Sequence, residues 1–288
     1  MKTRFKVVLL ILLILAGIAL LAMYISNHTI AVLEPKGMIG HKEAHLIMTA
    51  SLLMLIVVIP VFILTLGFAW FYRESNGKAK HHPDWEHNSI AEYCWWGTPL
   101  VIVAILAVLT YKSSHDLNPF KPIVNGKKPL TIQVIGLQWK WLFIYPEQKI
   151  ATINFVQFPE QTPLNFEITS DAPMNSFWIP QLGGQIYAMP AMKSQLHLIA
   201  NETGTFRGAS ANISGDGFAG MRFLAKATTD AEFDNWVQSI RQSGKPLDLT
   251  VYDQLVEPSH NNPVSTYVLK QDDLFEQSMM KYMMPPRK

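Results

Sequence analysis

TIQVIGLQWKWLFIY (131–145) is rich in β-branched and aromatic residues and runs into the turn signal Tyr145-Pro146-Glu147. Runs of the same kind follow: ATINFVQF (151–158), LNFEITS (164–170), SFWIP (176–180), SQLHLIA (194–200), TFRGAS (205–210) and MRFLAKAT (221–228). Gly183-Gly184 and Asn201-Glu202-Thr203-Gly204 punctuate them. Short strands at this spacing predict a β-sandwich or barrel over 128–228. Thr229-Asp230-Ala231-Glu232 then reads as a capping box, and Phe233, Trp236, Val237 and Ile240 recur at helical spacing, so an amphipathic helix closes the domain. The rest of 229–288 is mixed and polar, ends in MMKYMMPPRK, and reads as a weakly ordered extension.

Upstream the composition changes. Hydrophobic residues make up 49% of the chain and charged residues only 16%, and the apolar surplus lies in three blocks before residue 112. Leu46–Tyr72 carries no formal charge and would form about 40 Å of helix, enough for a hydrocarbon core of ~30 Å. Tyr93–Tyr111 is also uncharged and spans with about 28 Å. Together they predict a transmembrane helical hairpin over 40–112. Pro60, Gly67 and Pro99 interrupt these spans and read as tolerated kinks. Before them, Lys2, Arg4 and Lys6 precede an uncharged stretch to Ile25, so 1–27 reads as a secretory signal peptide or an uncleaved signal anchor, retention being preferred. The loop RESNGKAKHHPDWEHNS (73–89) holds Arg73, Lys78 and Lys80, which places it in the cytoplasm by the positive-inside rule. Lys112, Lys121, Lys127 and Lys128 oppose that orientation weakly, because long domains cross largely regardless of charge. His115–Pro129, with Pro119, Pro122, Gly126 and Pro129, is a linker.

A net charge of +2 without any dense Lys/Arg run excludes nucleic acid as a partner. Cys94, the only cysteine, lies in an apolar block, so the exported part has no disulfide framework and no thiolate metal site.

Two apolar helices followed by an exported sandwich, with EPKG (34–37), LMLIVVIP (53–60), GFAW (67–70), WKW (139–141), YPEQ (145–148), MNSFWIP (174–180), GGQIYAMPAM (183–192), LHLIAN (196–201) and SGDGFAGM (214–221), resemble subunit II of haem–copper terminal oxidases. The likeness is greatest to the cytochrome bo-type ubiquinol oxidases and covers roughly residues 30 to 275. It implies a membrane-anchored α+β chain: signal or anchor segment, two-helix hairpin, cupredoxin-like β-sandwich, C-terminal helix. It also implies a bacterial inner-membrane location, multi-pass, with the C-terminal domain in the periplasm among membrane lipid. The expected partners are the haem-bearing subunit I and the smaller membrane subunits, with ubiquinol reached through the complex.

Relatives that oxidise cytochrome c hold a dinuclear copper centre, CuA, in the sandwich. The resemblance puts its histidines on Asn175 and Phe218, its cysteines on Ser210 and Ser214, its carbonyl ligand on Asn212 and its methionine on Met221. Copper of this kind needs thiolates and imidazoles; a serine hydroxyl stays protonated, an amide is a poor ligand and phenylalanine has no lone pair. Only Met221 survives, and His197 stands without a second ligand at usable spacing and reads as structural. The expectation is a chain without metal, cofactor or catalytic residue, with haem and copper in the large subunit. A CuA-bearing cytochrome c oxidase subunit, or a membrane-anchored cupredoxin-like binding or assembly module, are the alternatives. With no exported port for a protein donor, electrons should come from quinol in the membrane.

Glu92 has two readings. The resemblance places a matching carboxylate near the mouth of a proton-uptake channel; Ser89-Ile90-Ala91-Glu92 is also a capping box at a helix start. Trp139 and Trp141 match an aromatic segment that carries electrons toward CuA, or serve as core or interface anchors on one strand face. Met279, Met280, Met283 and Met284 offer soft thioethers for copper(I), but a flexible apolar tail is the plainer reading. Asn175, Ser210 and Ser214 are expected to hydrogen-bond to one another where the metal once held the loops.

Overall fold

A computed structural model describes residues 2–27, 30–80 and 87–283. They divide into two compact units: His45–Lys121, and the residues before His45 together with those after Lys121.

The first unit is built on helices α2 (Met38–Phe71) and α3 (Ser89–Asp116), both long and apolar enough to cross a membrane. Their side chains are largely exposed, which is what lipid-facing helices require in place of a core. Pro60 and Pro99 lie inside the helices. Helix α1 (Lys2–Asn27) precedes them.

In the other unit, twelve strands form two sheets. The seven-stranded sheet runs in the order β11 (Lys245–Leu247), β12 (Ser265–Leu269), β3 (Ile150–Ile153), β2 (Lys140–Tyr145), β1 (Leu130–Leu137), β5 (Leu164–Ser170) and β8 (Ser194–Leu198). The five-stranded sheet runs β4 (Phe155–Pro159), β10 (Arg222–Thr228), β9 (Gly204–Ser210), β6 (Asn175–Trp178) and β7 (Ile186–Ala188). Asn154, at φ +55, turns the chain from one sheet to the other; its side chain accepts from Trp141 N at 2.9 Å, and asparagine tolerates that left-handed backbone. Between the sheets Phe177 stacks on Phe223 at 5.1 Å and meets Trp141 edge-on at 5.4 Å.

β1 and β2 are buried along both faces, so they read as continuous apolar runs instead of alternating. Their second face is covered by the chain after the sandwich. Helix α4 (Asp230–Ser243) starts with the expected box, Thr229 Oγ1 accepting from Glu232 N at 3.3 Å and Glu232 Oε2 from Thr229 N at 3.1 Å. The remainder is not a loose extension: α5 (Leu249–Val256), β12 and α6 (Leu274–Met280) bury Leu247, Tyr252, Leu269, Leu274 and Phe275 against Ile135, Leu137, Leu142 and Ile144. An apolar face that the sandwich leaves open is what orders this segment.

Residues 36–40 stitch the start of α2 to the sandwich. Gly37 bridges Ala200, Gly37 N donates to Gln181 O at 3.1 Å and Gly40 N to Leu182 O at 2.9 Å. A Cβ on Gly37 would lie 2.7 Å from Leu182 O and 2.8 Å from Ile199 O, so this approach admits only glycine.

Candidate functional site

The four positions of lost copper ligands, Asn175, Ser210, Ser214 and Phe218, and the retained Met221 lie at one end of the sandwich. Asn175 opens β6, Ser210 closes β9, Phe218 begins the 3-10 turn Phe218–Gly220, and Met221 precedes β10. Ser210 N donates to Met221 O at 3.2 Å, and Ala211 N to Ser176 O at 3.0 Å, so backbone pairing fixes the loop ends. Asn175 and Met221 are fully buried.

The polar replacements are largely consumed by one another. Ser210 Oγ donates to Asn175 Oδ1 at 2.9 Å and lies 3.3 Å from Asn212 O; Asn175 Nδ2 donates to Pro173 O at 2.7 Å, and Asn212 Nδ2 to Met174 O at 3.1 Å. Ser214 does not join the expected triad: its hydroxyl is buried without a partner, while its carbonyl accepts from Trp139 Nε1 at 3.1 Å. What remains for a copper pair is one thioether, an amide oxygen already hydrogen-bonded and two protonated hydroxyls. These residues do not fit CuA. Among the described residues no three His, Cys, Asp or Glu side chains converge on a metal position.

Trp139 caps this end. It sits in the turn between β1 and β2, not on a strand with Trp141, and both indoles belong to the same buried core. Its indole stacks on His260 at 4.6 Å and lies so close to the loop that a Cβ on Gly217 would be 2.2 Å from Trp139 Cδ2. Gly215, at φ +112, supplies the left-handed turn beside it.

Two polar clusters that the sequence reading missed hold the C-terminal segment in place. The Asp171 carboxylate, whose side chain is 0% exposed, accepts from Tyr252 OH at 2.8 Å, Tyr282 OH at 2.5 Å and Lys281 Nζ at 3.0 Å. Burial, and then the Asp171 charge, push the Tyr252 phenol well above its ordinary range; burial likewise raises Tyr282 and Tyr145. Buried Lys140 donates to Glu257 O at 2.9 Å and Ser259 Oγ at 2.5 Å, and desolvation pushes its ammonium below the usual lysine range. The aromatic residues recurring after 250 were the available signal for this docking.

Of the remaining candidates, Glu92 lies in the first turn of α3, its carboxylate 2.5 Å from His87 Nδ1. The Ser89 capping box does not form: the N-cap is Asn88, one residue earlier, accepting from Ala91 N at 3.0 Å. Asparagine competes well with serine at that position. His197 lies on β8 opposite Asn165, in the sheet that does not carry the Ser210 loop. Met279 and Met280 end α6, and Met284 falls outside the described residues.

Comparison with known proteins accounts for both the sandwich and the segment that covers it. Residues 147–228 match the family model for the periplasmic domain of cytochrome c oxidase subunit II, and 241–286 match the COX aromatic rich motif. The chain is 52% identical to cytochrome bo(3) ubiquinol oxidase subunit 2 of Pseudomonas putida, over 87% of this chain and 80% of that one. It is 46% identical to ubiquinol oxidase subunit 2 of Acetobacter aceti, over 91% and 85%. Quinol oxidase subunit 2 of Bacillus anthracis is 37% identical, over 80% and 79%. At such identity and coverage the chain, membrane-anchored through α2 and α3, belongs to the ubiquinol oxidase subunit 2 family.

Proposed function

We propose that this chain is the non-catalytic second subunit of a proton-pumping respiratory oxidase that couples ubiquinol oxidation to reduction of oxygen to water. The carrying observation is the hydrogen bond from Ser210 to Asn175, in a loop whose donors suit each other and not copper. Without a metal in the exported domain there is no relay for a soluble protein donor, so electrons enter from a lipid-soluble quinol in the haem-bearing large subunit. Haem and copper belong to that subunit, and this chain carries neither. The chain sits in the bacterial inner membrane, with the hairpin packed against subunit I and the smaller membrane subunits, and the sandwich in the periplasm.

The donor assay tests this reading. A complex purified through this chain in mild detergent should oxidise ubiquinol and leave reduced cytochrome c untouched; turnover of cytochrome c would overturn it. Glu92 is a candidate collector of protons at the cytoplasmic end of α3, with His87 in contact to pass or hold a charge. Glu92→Ala should slow ubiquinol turnover of the assembled complex, and unchanged turnover and pumping would reduce Glu92 to a helix-end charge.

A further inference from the structure

We propose that the exposed face of β9 and β10 docks on the headgroups of an anionic phospholipid bilayer. The register of β9 and β10 sets Arg207 opposite Leu224 and Arg222 opposite Ala209, which makes Arg222 and Lys226 the diagonal neighbours of Arg207 on one face, at about 7–8 Å. Exposed and buried residues alternate from Arg222 to Lys226, so all three cations point away from the core. None of their side chains makes an ion pair or hydrogen bond to a described residue, whereas Lys127, Lys128, Lys149, Lys193 and Lys281 of the same unit all face carboxylates. Three unpaired positive charges therefore share this sheet face, and like charges at that spacing repel unless something negative covers them.

The residues between and beside the cations decide what kind of anion fits. Leu224, in their midst, is 42% exposed, and Tyr187 on edge strand β7, placed on the same face through its pairing with Ser176, is 52% exposed. Basic side chains beside an aliphatic and an aromatic one match the layered chemistry of a bilayer surface, phosphate outside and acyl carbonyls beneath. A bilayer needs no encounter step here, because α2 and α3 tether the sandwich to one at high effective concentration.

The test uses the whole complex with Cys94→Ser and Leu224→Cys, labelled with an environment-sensitive fluorophore and reconstituted into phosphatidylcholine vesicles with or without phosphatidylglycerol. The label should move to an apolar environment only with phosphatidylglycerol, and return on adding salt. Each cation near an anionic surface multiplies the docked population about five-fold. Arg207→Gln alone should lose about that factor, and Arg207→Gln with Arg222→Gln and Lys226→Gln on the order of a hundred-fold, with ubiquinol turnover retained as the sign of intact assembly. A label equally exposed in both vesicles overturns the proposal. So does a label already shielded in detergent, which would mean that an acidic protein covers the face.

Discussion

Gly217→Ala places a methyl group where the Trp139 indole now lies. The new Cβ would stand 2.2 Å from Cδ2, 2.3 Å from Cε3 and 2.5 Å from Cγ, far inside contact distance. Movement of the ring disturbs its stack on His260 at 4.6 Å and the hydrogen bond from Nε1 to Ser214 O at 3.1 Å. Overpacking of this kind costs about 1–3 kcal/mol, and loss of the indole hydrogen bond adds about 1 kcal/mol. A total near 3 kcal/mol lowers the unfolding midpoint of a domain this size by roughly 6–12 °C. Thermal unfolding of the detergent-solubilised complex, followed by near-ultraviolet circular dichroism, reads that shift. Gly77→Ala serves as the control, since nothing lies within 4 Å of its added Cβ. A Gly217→Ala complex melting with the wild type would show that Trp139 is not held tightly against the Gly217 loop.

Ser210→Ala should cost about 1–3 kcal/mol by stranding Asn175 Oδ1 in the interior, whereas Ser214→Ala, which removes an unpartnered hydroxyl, should be neutral or stabilising; equal effects in chemical denaturation would contradict the hydrogen-bond assignment. Asp171→Ala strips the acceptor from Tyr252 and Tyr282, a loss of roughly 3 kcal/mol, and hydrogen exchange should accelerate first in α6 and residues 281–283. Stability should fall above about pH 10, because Tyr145 and Tyr252 hold their protons in the folded chain after unfolded tyrosine has released its own. The unfolded state then binds fewer protons, so each contributes a decline of up to about 1.4 kcal/mol per pH unit. Lys140 acts with the opposite sign below pH 10.5, where the unfolded chain holds the extra proton and rising pH restores stability. Tyr252→Phe should flatten the alkaline decline; an unchanged slope would show that its hydroxyl is not the source.

The architecture was legible where a single local rule suffices. Two uncharged stretches fix the two apolar helices, and runs such as LNFEITS, whose burial alternates over the first half of β5, fix the strands. The C-terminal segment was misread because its order is tertiary: Leu274 and Phe275 are ordinary residues until β1 and β2 present Ile135, Leu137, Leu142 and Ile144 to them. The lack of alternation in TIQVIGLQWKWLFIY was the signal that a second layer had to cover this sheet. At the candidate site, the residue types alone exclude thiolate and imidazole ligation, but they do not say which polar side chains pair. Ser210 reaches Asn175 because it closes β9 beside β6, while Ser214, four residues along the loop, faces Trp139 instead. The N-cap at Asn88 in place of Ser89 is an error of one residue between two good capping types.

The cupredoxin-like domain of this chain is expected to carry no copper. Haem and copper quantified per copy of this chain, in the complex purified through it, test that directly. Haem with a single copper is the predicted result, that copper lying in the large subunit. Two further coppers would show that the Ser210 loop binds metal after all, and an absence of haem would mean that the chain works outside an oxidase.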